Sequence, residues 1–390
     1  MSEWNIYKRT LSEIFEQVKK YYENKDIHIC KDLSASQKLW VKILVDNIEN
    51  QKSVVAVTIT SLLKKIVSPK QDVRLHREEF EGGYSGRSLD KNVVTPWLKE
   101  NFPRFAPKES GWLTRSLEQP HPFTKDFPGK IKNKNVKNAF LSILHDIEEN
   151  SVDPRSYLRC LLYLLLKKYK REQSFMSQML VKKTQSIPLT IDIVLNMLRE
   201  HFSMKMSSRL PVIAIYTIYQ IFMENIKLYE GKKLEPLKTH TTSDRYAGFG
   251  DIEIYNSDGT PFEMVEIKHN IPIDKVMIED VLKKVKDTTI KKYYILTTAE
   301  PNFKDPDKDI FKLVHEIKLR YGIEIIPNGI YQSLKYYLRF VPNLRDFLDK
   351  YTENLMEEFK KSTDIKEFHI KGWKKIMEKY SYIENAKLRG

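Results

Sequence analysis

The chain has 390 residues, of which 66 are Lys or Arg and 52 are Asp or Glu, so its formal net charge at pH 7 is +14. A chain of this length buries an ample core and can form two or more domains. The positive charge suits a phosphate-rich partner such as DNA, but a lysine-rich genome produces the same composition, so charge alone does not decide the function.

The two cysteines and the apolar runs bear on the compartment. Cys30 and Cys160 lie in unrelated sequence contexts and lack metal-ligand spacing. They point to a reducing compartment and argue against a disulfide scaffold. The N-terminus has no basic and apolar signal pattern, and the longest apolar runs, 210–223 and 161–166, are too short to span a bilayer. We therefore expect a cytoplasmic protein of a prokaryotic cell, without a membrane partner.

The spacing of apolar residues divides the chain into three regions. Residues 1–205 are predicted to be mostly helical, because apolar residues recur at helical spacing up to about residue 75 and again over 136–205. Residues 206–335 are predicted to form an α/β core. Residues 336–390 return to helical spacing and form a helical C-terminal extension.

Residues 80–123 interrupt the first helical region with glycine, proline, aromatic and basic residues. Glycine lets the backbone approach a ligand closely, and Arg, Lys and Gln side chains reach phosphates and base edges. We therefore predict a shaped loop region with five candidate DNA contacts: Arg87, Arg104, Lys108, Arg115 and Gln119. The alternative is a connector with surface arginines and buried Trp97 and Trp112.

The predicted core alternates helices and strands. Its elements in chain order are a helix over 210–229, strands at Asp251 and Phe262, a helix over 274–286, a strand over 293–298, a helix over 310–321 and a strand over 323–326. This order predicts a mixed sheet that is flanked by helices.

The two strands at Asp251 and Phe262 read as a hairpin. Asp258-Gly259 favours a tight two-residue turn, and the flanking residues are apolar at alternate positions. With that turn, Asp251 lies opposite Glu266, with Cβ atoms roughly 4.5 to 5.5 Å apart. Lys268 lies two residues beyond Glu266 and projects from the same face of its strand. A shift of one residue would move Glu266 to the other face.

Two carboxylates at this spacing repel each other unless a cation lies between them, and oxygen ligands suit Mg²⁺. A metal there would bind phosphate oxygens and acidify a water, while Lys268 orients that water or offsets developing charge. Other Glu-x-Lys triplets, at 316–318 and 358–360, lie in helical stretches and do not share this setting. The alternative is an ordinary exposed hairpin with cross-strand charge pairs.

The spacing of these residues carries a family resemblance. Asp251, fourteen intervening residues and Glu266-Ile267-Lys268 resemble the PD-(D/E)xK nuclease motif, in the form where a Gly-Asp pair supplies the first acid. The stretch 208–269 resembles type II restriction endonucleases of this superfamily. Segments 293–298 and 82–119 make the SacI-like group the most similar. The chain departs from the motif in having Gly250 where many members have Pro.

The resemblance implies a restriction-endonuclease-like fold and a set of roles. Asp251, Glu266 and the backbone carbonyl of Ile267 would be Mg²⁺ ligands, and Lys268 would position the attacking water. The implied reaction cuts double-stranded DNA at a specific short site and leaves 5′-phosphate and 3′-hydroxyl ends. Cutting both strands of a palindromic site implies a homodimer. A cognate DNA methyltransferase would belong to the same system.

Further residues near the motif are secondary candidates. Glu224 and Glu253 could serve as additional acids, although a solvated helix face also explains Glu224. His240, Arg245 and His269 flank the site as candidate DNA contacts, and packing is the alternative for the histidines. Rival functions are a DNA repair or junction-resolving nuclease and a non-catalytic DNA-binding protein. An RNA-directed nuclease has little support, because no RNA-binding signature is present.

Overall fold

A computed structural model describes residues 4–24, 27–180, 189–237 and 248–387. The chain divides into two compact units. Unit 1 comprises Met1–Met179 with Lys360–Thr363, and unit 2 comprises Leu180–Phe359 with Asp364–Gly390. The first boundary therefore falls before the predicted position at 205, and most of the C-terminal helical region belongs to unit 2. Within the described ranges, no helix has the length and apolarity needed to cross a membrane.

Unit 1 is helical, as predicted. Its helices are α1 (Trp4–Glu23), α2 (Ala35–Asp46), α3 (Lys52–Val67), α4 (Gly86–Leu89), α5 (Thr95–Asn101), α6 (Lys134–Glu149) and α7 (Pro154–Leu180). The segment 80–123 was predicted as a loop region, but its first half is largely helical, with a π-helical turn over Asp90–Val94 between α4 and α5. Trp97 and Trp112 are both buried, because they pack into the apolar core of this unit.

A buried carboxylate holds the irregular half of that segment. Asp90 accepts hydrogen bonds from the hydroxyls of Thr60, Thr95 and Ser110 and from the amide of Gly111. Burial raises the pKa of Asp90, while these donors act in the opposite direction. The loop at Ser110–Gly111 is thus fixed to the helical core by side-chain hydrogen bonds.

Arg104 was predicted to contact DNA, and this prediction is wrong. Its side chain is only 1% exposed and forms ion pairs with Glu49, at 2.8 Å, and with Glu172, at 3.1 Å. Its Nη1 also donates to the carbonyl of Ser362 at 2.6 Å. A buried guanidinium needs such partners, because an uncompensated charge in the core is costly. Arg104 is therefore a structural residue of unit 1.

Cys30 and Cys160 were predicted not to form a disulfide, and this prediction is also wrong. Cys30 and Cys160 form a disulfide with a Cα–Cα distance of 5.1 Å, although 130 positions separate them in the chain. The bond ties the 3₁₀ turn Ile27–Cys30 to α7 within unit 1. The cysteine pattern therefore gives no support to a reducing compartment.

Unit 2 is a mixed α/β unit, which confirms the predicted class of the core. Its helices are α8 (Ile191–Phe202), α9 (Arg209–Asn225), α10 (Lys275–Val285), α11 (Asp307–Tyr321), α12 (Ile330–Leu338), α13 (Leu344–Lys361) and α14 (Glu367–Lys387). Its strands are β1 (Lys233–Leu234), β2 (Ile252–Tyr255), β3 (Pro261–Lys268), β4 (Lys292–Thr297) and β5 (Glu324–Gly329).

The five strands form one sheet in the order β1-β2-β3-β4-β5. The pairs β1–β2 and β2–β3 are antiparallel, and the pairs β3–β4 and β4–β5 are parallel. Helices α10 and α11 supply the crossovers that parallel strands require. The sequence predicted this alternation of helices and strands, but it did not predict the two-residue strand β1.

Alternation along β3 distinguishes the two faces of the sheet. Met264 packs in an apolar cluster with Tyr293 of β4 and with residues of α10 and α11. On the opposite face, buried Glu263 accepts a hydrogen bond from Tyr219 of α9 at 2.5 Å. Because side chains alternate along a strand, Glu266 and Lys268 share the Met264 face, which α10 and α11 cover in part.

Candidate functional site

The candidate site is built on the β2–β3 hairpin, whose register agrees with the prediction over Ile252–Ile254. Ile252 pairs with Val265, as the predicted turn requires. The connection itself differs, since Asn256 donates to the carbonyl of Thr260 around a three-residue loop that ends at Gly259, with φ +81°. A register irregularity at Ile254/Tyr255 compensates for the additional loop residue.

Asp251 lies immediately before β2, and its main chain and its side chain both bind β3. Its amide donates to the carbonyl of Val265 at 2.8 Å, and its Oδ2 accepts a hydrogen bond from the amide of Ile267 at 2.7 Å. Regular pairing thus stops at Ile252, and Asp251 does not form the direct cross-strand pair with Glu266 that was predicted. Its carboxylate instead reaches the peptide group that follows Glu266.

Glu266 and Lys268 lie two residues apart on one face of β3. The ammonium of Lys268 is 2.6 Å from Oε1 of Glu266, and the two side chains are 28% and 15% exposed, respectively. A charge-assisted contact of this length holds both side chains in place while solvent still reaches them. The structure therefore brings the acid and the lysine of the predicted motif together.

Tyr293 of β4 lies beside Glu266 and beside the residues that precede Asp251. Its hydroxyl donates to the carbonyl of Phe249 at 2.5 Å and lies 3.4 Å from Oε2 of Glu266. Burial raises the pKa of Tyr293 well above its usual value, and the negative charges of Glu266 and Asp251 raise it further. The tyrosine is therefore a neutral donor that stays protonated beside the acidic residues.

Glu253 was a secondary candidate for an additional acid, and the structure gives it other contacts. Its Oε1 accepts hydrogen bonds from the amides of Phe249, at 2.6 Å, and Gly250, at 3.4 Å, and its Oε2 accepts one from Tyr255 at 3.2 Å. Burial, followed by the negative charge of Glu253, raises the pKa of Tyr255 to about 12. Glu253 thus binds the backbone bend that precedes Asp251.

The donor set fits a magnesium ion that retains several waters. Among the residues that the structure describes, no three His, Cys, Asp or Glu side chains group closely enough to hold a metal. Asp251 and Glu266 supply two carboxylates, which suffice for Mg²⁺, since this ion is usually bound by one or two carboxylates plus water and phosphate. The amide of Ile267 points to Asp251, and its carbonyl points to the same side of the strand.

The structure gives Glu224 and His269 contacts with other residues of the chain. Glu224 lies on α9, is 61% exposed and pairs with Lys350. Helix α9 packs on the face of the sheet that carries Glu263. Glu224 is therefore on the opposite side of the sheet from Asp251 and Glu266. The ring nitrogens of His269 contact the hydroxyls of Ser207 and Thr298, each at 2.9 Å, and burial lowers its pKa. His269 therefore links the start of α9 to the end of β4.

The remaining candidate DNA contacts are in other parts of the chain. Arg87, Lys108 and Arg115 are exposed in unit 1, and Gln119 is half-buried there. Arg87 is 3.7 Å from Glu118, a loose pair that leaves its guanidinium accessible. His240 and Arg245 lie outside the described residues.

Sequence reasoning missed the part that Tyr293 plays, because the residue read only as one member of an apolar strand. One signal was available. A tyrosine in the interior of a buried strand needs a hydrogen-bond partner for its hydroxyl, and a strand next to an acidic hairpin supplies one. The parallel pairing of Met264 with Tyr293 then fixes the face on which that hydroxyl lies.

No protein-family model matches the sequence, and the search of curated proteins also finds no match. Support for a function therefore comes from the residues of the hairpin and their arrangement.

Proposed function

We propose that this protein is a Mg²⁺-dependent DNA endonuclease of the type II restriction class, with a PD-(D/E)xK catalytic core in unit 2. The observation that carries the proposal is the grouping of Asp251, Glu266 and Lys268 at one end of the β2–β3 hairpin, with Lys268 at 2.6 Å from Glu266. The order of α9, the hairpin, α10 and the parallel strand β4 is the order expected for such a core.

Each residue has a role that follows from its chemistry. Asp251, Glu266 and the Ile267 carbonyl would hold the metal, which when bound would neutralise phosphate oxygens and acidify a water. Lys268 would orient the attacking water and offset the charge that develops on the phosphate. The amide of Ile267 fixes the Asp251 carboxylate before any ligand arrives. The net charge of +14 favours association with DNA.

The wider proposal covers the assembly and the substrate. A palindromic double-stranded site requires two active centres related by a two-fold axis, so the proposed species on DNA is a homodimer. The exposed Arg87, Lys108 and Arg115 remain the proposed DNA contacts of unit 1. The proposed products carry 5′-phosphate and 3′-hydroxyl ends. A DNA methyltransferase of the same specificity would protect the host.

The test is digestion of unmethylated phage DNA with the full chain, with and without Mg²⁺. Discrete fragments are expected for a restriction enzyme. A smear would indicate a repair or other nonspecific nuclease, and intact DNA that is bound in a gel shift would indicate a non-catalytic binder. Asp251→Ala and Lys268→Ala should each slow cleavage by at least about 100-fold. Glu279→Gln, which removes an exposed acid of α10, is the charge-matched control for Asp251→Ala and should cut normally.

A further inference from the structure

The bend Phe249–Asp251, which leads into β2, is held by hydrogen bonds from three different strands. One carboxylate oxygen of Glu253 of β2 accepts hydrogen bonds from the amides of Phe249 and Gly250. Tyr293 of β4 donates its hydroxyl to the carbonyl of Phe249 at 2.5 Å. The amide of Asp251 donates to Val265 of β3. The three residues of the bend are thus bound by β2, β3 and β4.

We propose that Glu253 and Tyr293 are positioning residues, which set the place of Asp251 and Glu266 without binding the metal themselves. This inference rests on the proposed function, because it takes Asp251 and Glu266 as metal ligands. Tyr293 acts on both acids, since its hydroxyl binds the bend before Asp251 and lies 3.4 Å from Glu266. Hydrogen bonds that orient ligands typically change metal affinity by about 10-fold to 100-fold when they are removed.

The contacts of Glu253 favour positioning over metal ligation. Its side chain is buried, with 3% relative exposure, and its two oxygens face donors: two backbone amides and the hydroxyl of Tyr255. An amide oxygen can accept the same backbone hydrogen bonds, whereas a neutral amide is a poor substitute for a carboxylate on Mg²⁺. The Gln variant therefore separates the two roles.

The experiment titrates the metal-free full chain with Mg²⁺ and with Mn²⁺ by calorimetry and, separately, measures the Mg²⁺ concentration that gives half-maximal DNA cleavage. Tyr293→Phe and Glu253→Ala should weaken metal binding and raise that concentration by about 10-fold or more. Glu253→Gln should stay within about 3-fold of the wild type, because it keeps the backbone acceptor. Tyr294→Phe removes a hydroxyl from the opposite face of β4 and is the matched control.

The outcomes separate this inference from the proposed function. If the wild type binds metal and cuts DNA while Tyr293→Phe and Glu253→Ala match it, the positioning role is overturned and the nuclease remains. If Glu253→Gln loses metal as completely as Asp251→Ala does, Glu253 is a ligand and the inference fails. A wild-type chain that neither binds metal nor cuts DNA overturns both. Thermal melting of each variant identifies loss of fold. If Glu253→Ala unfolds, the positioning role is still tested by Tyr293→Phe, which removes one hydroxyl.

Discussion

The backbone at Gly250 crosses that of Val265 so closely that a Cβ atom at position 250 would lie 2.7 Å from the Val265 carbonyl oxygen. No side chain fits this approach unless β2 and β3 move apart. Proline would not fit either, and this explains physically why the residue before Asp251 is glycine. We expect Gly250→Ala to destabilise unit 2 by about 1 to 3 kcal/mol, the usual cost of overpacking.

The same substitution should displace Asp251 and slow DNA cleavage by at least about 10-fold, because small displacements of a catalytic group are costly. Urea unfolding and a cleavage assay measure the two effects. Gly259→Asn in the same hairpin is the control, since nothing lies within 4 Å of a Cβ at that position and Asn tolerates positive φ. Equal behaviour of the two variants would contradict the close crossing.

Arg104 and Arg115 should respond to substitution in opposite ways. Arg104→Ala removes the buried cation that pairs with Glu49 and Glu172 and should destabilise unit 1 by about 3 to 5 kcal/mol. Arg115→Ala removes an exposed side chain and should leave stability within about 0.5 kcal/mol while weakening DNA binding. Tryptophan fluorescence during urea unfolding and gel-shift titration measure the two quantities. A stable Arg104→Ala protein with weakened DNA binding would restore the surface role.

The stability of unit 1 should fall as the pH falls below about 6.5. His76 Nδ1 accepts a hydrogen bond from Trp112 at 3.0 Å, so the ring must be neutral, and burial lowers its pKa to about 4. The unfolded chain binds the proton more readily, with a pKa near 6.5, so acidification favours unfolding between about pH 6.5 and pH 4. At pH 4.5 the loss from this group is roughly 2 to 3 kcal/mol.

His76→Gln separates this effect from the titration of other groups. The Gln oxygen can accept from Trp112 and does not titrate, so the variant should show a shallower loss of stability over that pH range. Urea unfolding followed by tryptophan fluorescence is suitable, because four of the five tryptophans lie in residues 1–179. Parallel pH curves for the wild type and the variant would rule out His76 as the source.

The bond between Cys30 and Cys160 closes a loop with a sequence separation of 130. By chain entropy, reducing it should lower the stability of unit 1 by about 5 kcal/mol. Protein purified without reductant should have a mass lower by two hydrogens than reduced protein, and Cys160→Ala should unfold at lower urea with or without reductant. Two thiols titrated in the folded, unreduced wild type would show that the bond does not form in solution.

Local patterns predicted the parts of the structure that depend on neighbouring residues. The apolar alternation around Asp258-Gly259 predicted the pairing of Ile252 with Val265, and the helical spacing predicted α9, α10 and α11. The turn type was missed, because Asp-Gly also suits a three-residue loop, in which the last residue, here Gly259, has a positive φ.

Contacts between distant parts of the chain could not be predicted in this way. The burial of Arg104 depends on Glu49 and Glu172, and the disulfide joins residues in sequence contexts that share no motif. An arginine in a glycine-rich and aromatic segment has the local appearance of a surface residue, so only tertiary packing identifies its role. For the same reason Glu253 was predicted as an additional acid, although its carboxylate binds backbone amides three and four residues earlier.

The irregularity at Ile254/Tyr255 separates the strand register at the tip of the hairpin from the register at the end that carries Asp251 and Glu266. Near Asp251, the pair Ile252 and Val265 sets the register. Near the loop at Gly259, the pairing of the two strands is shifted by one residue. A change of one residue in loop length can therefore be absorbed where the strands are already irregular. Natural variants of this chain could vary the loop, and an engineer could graft a peptide into it, while Asp251 and Glu266 keep their places.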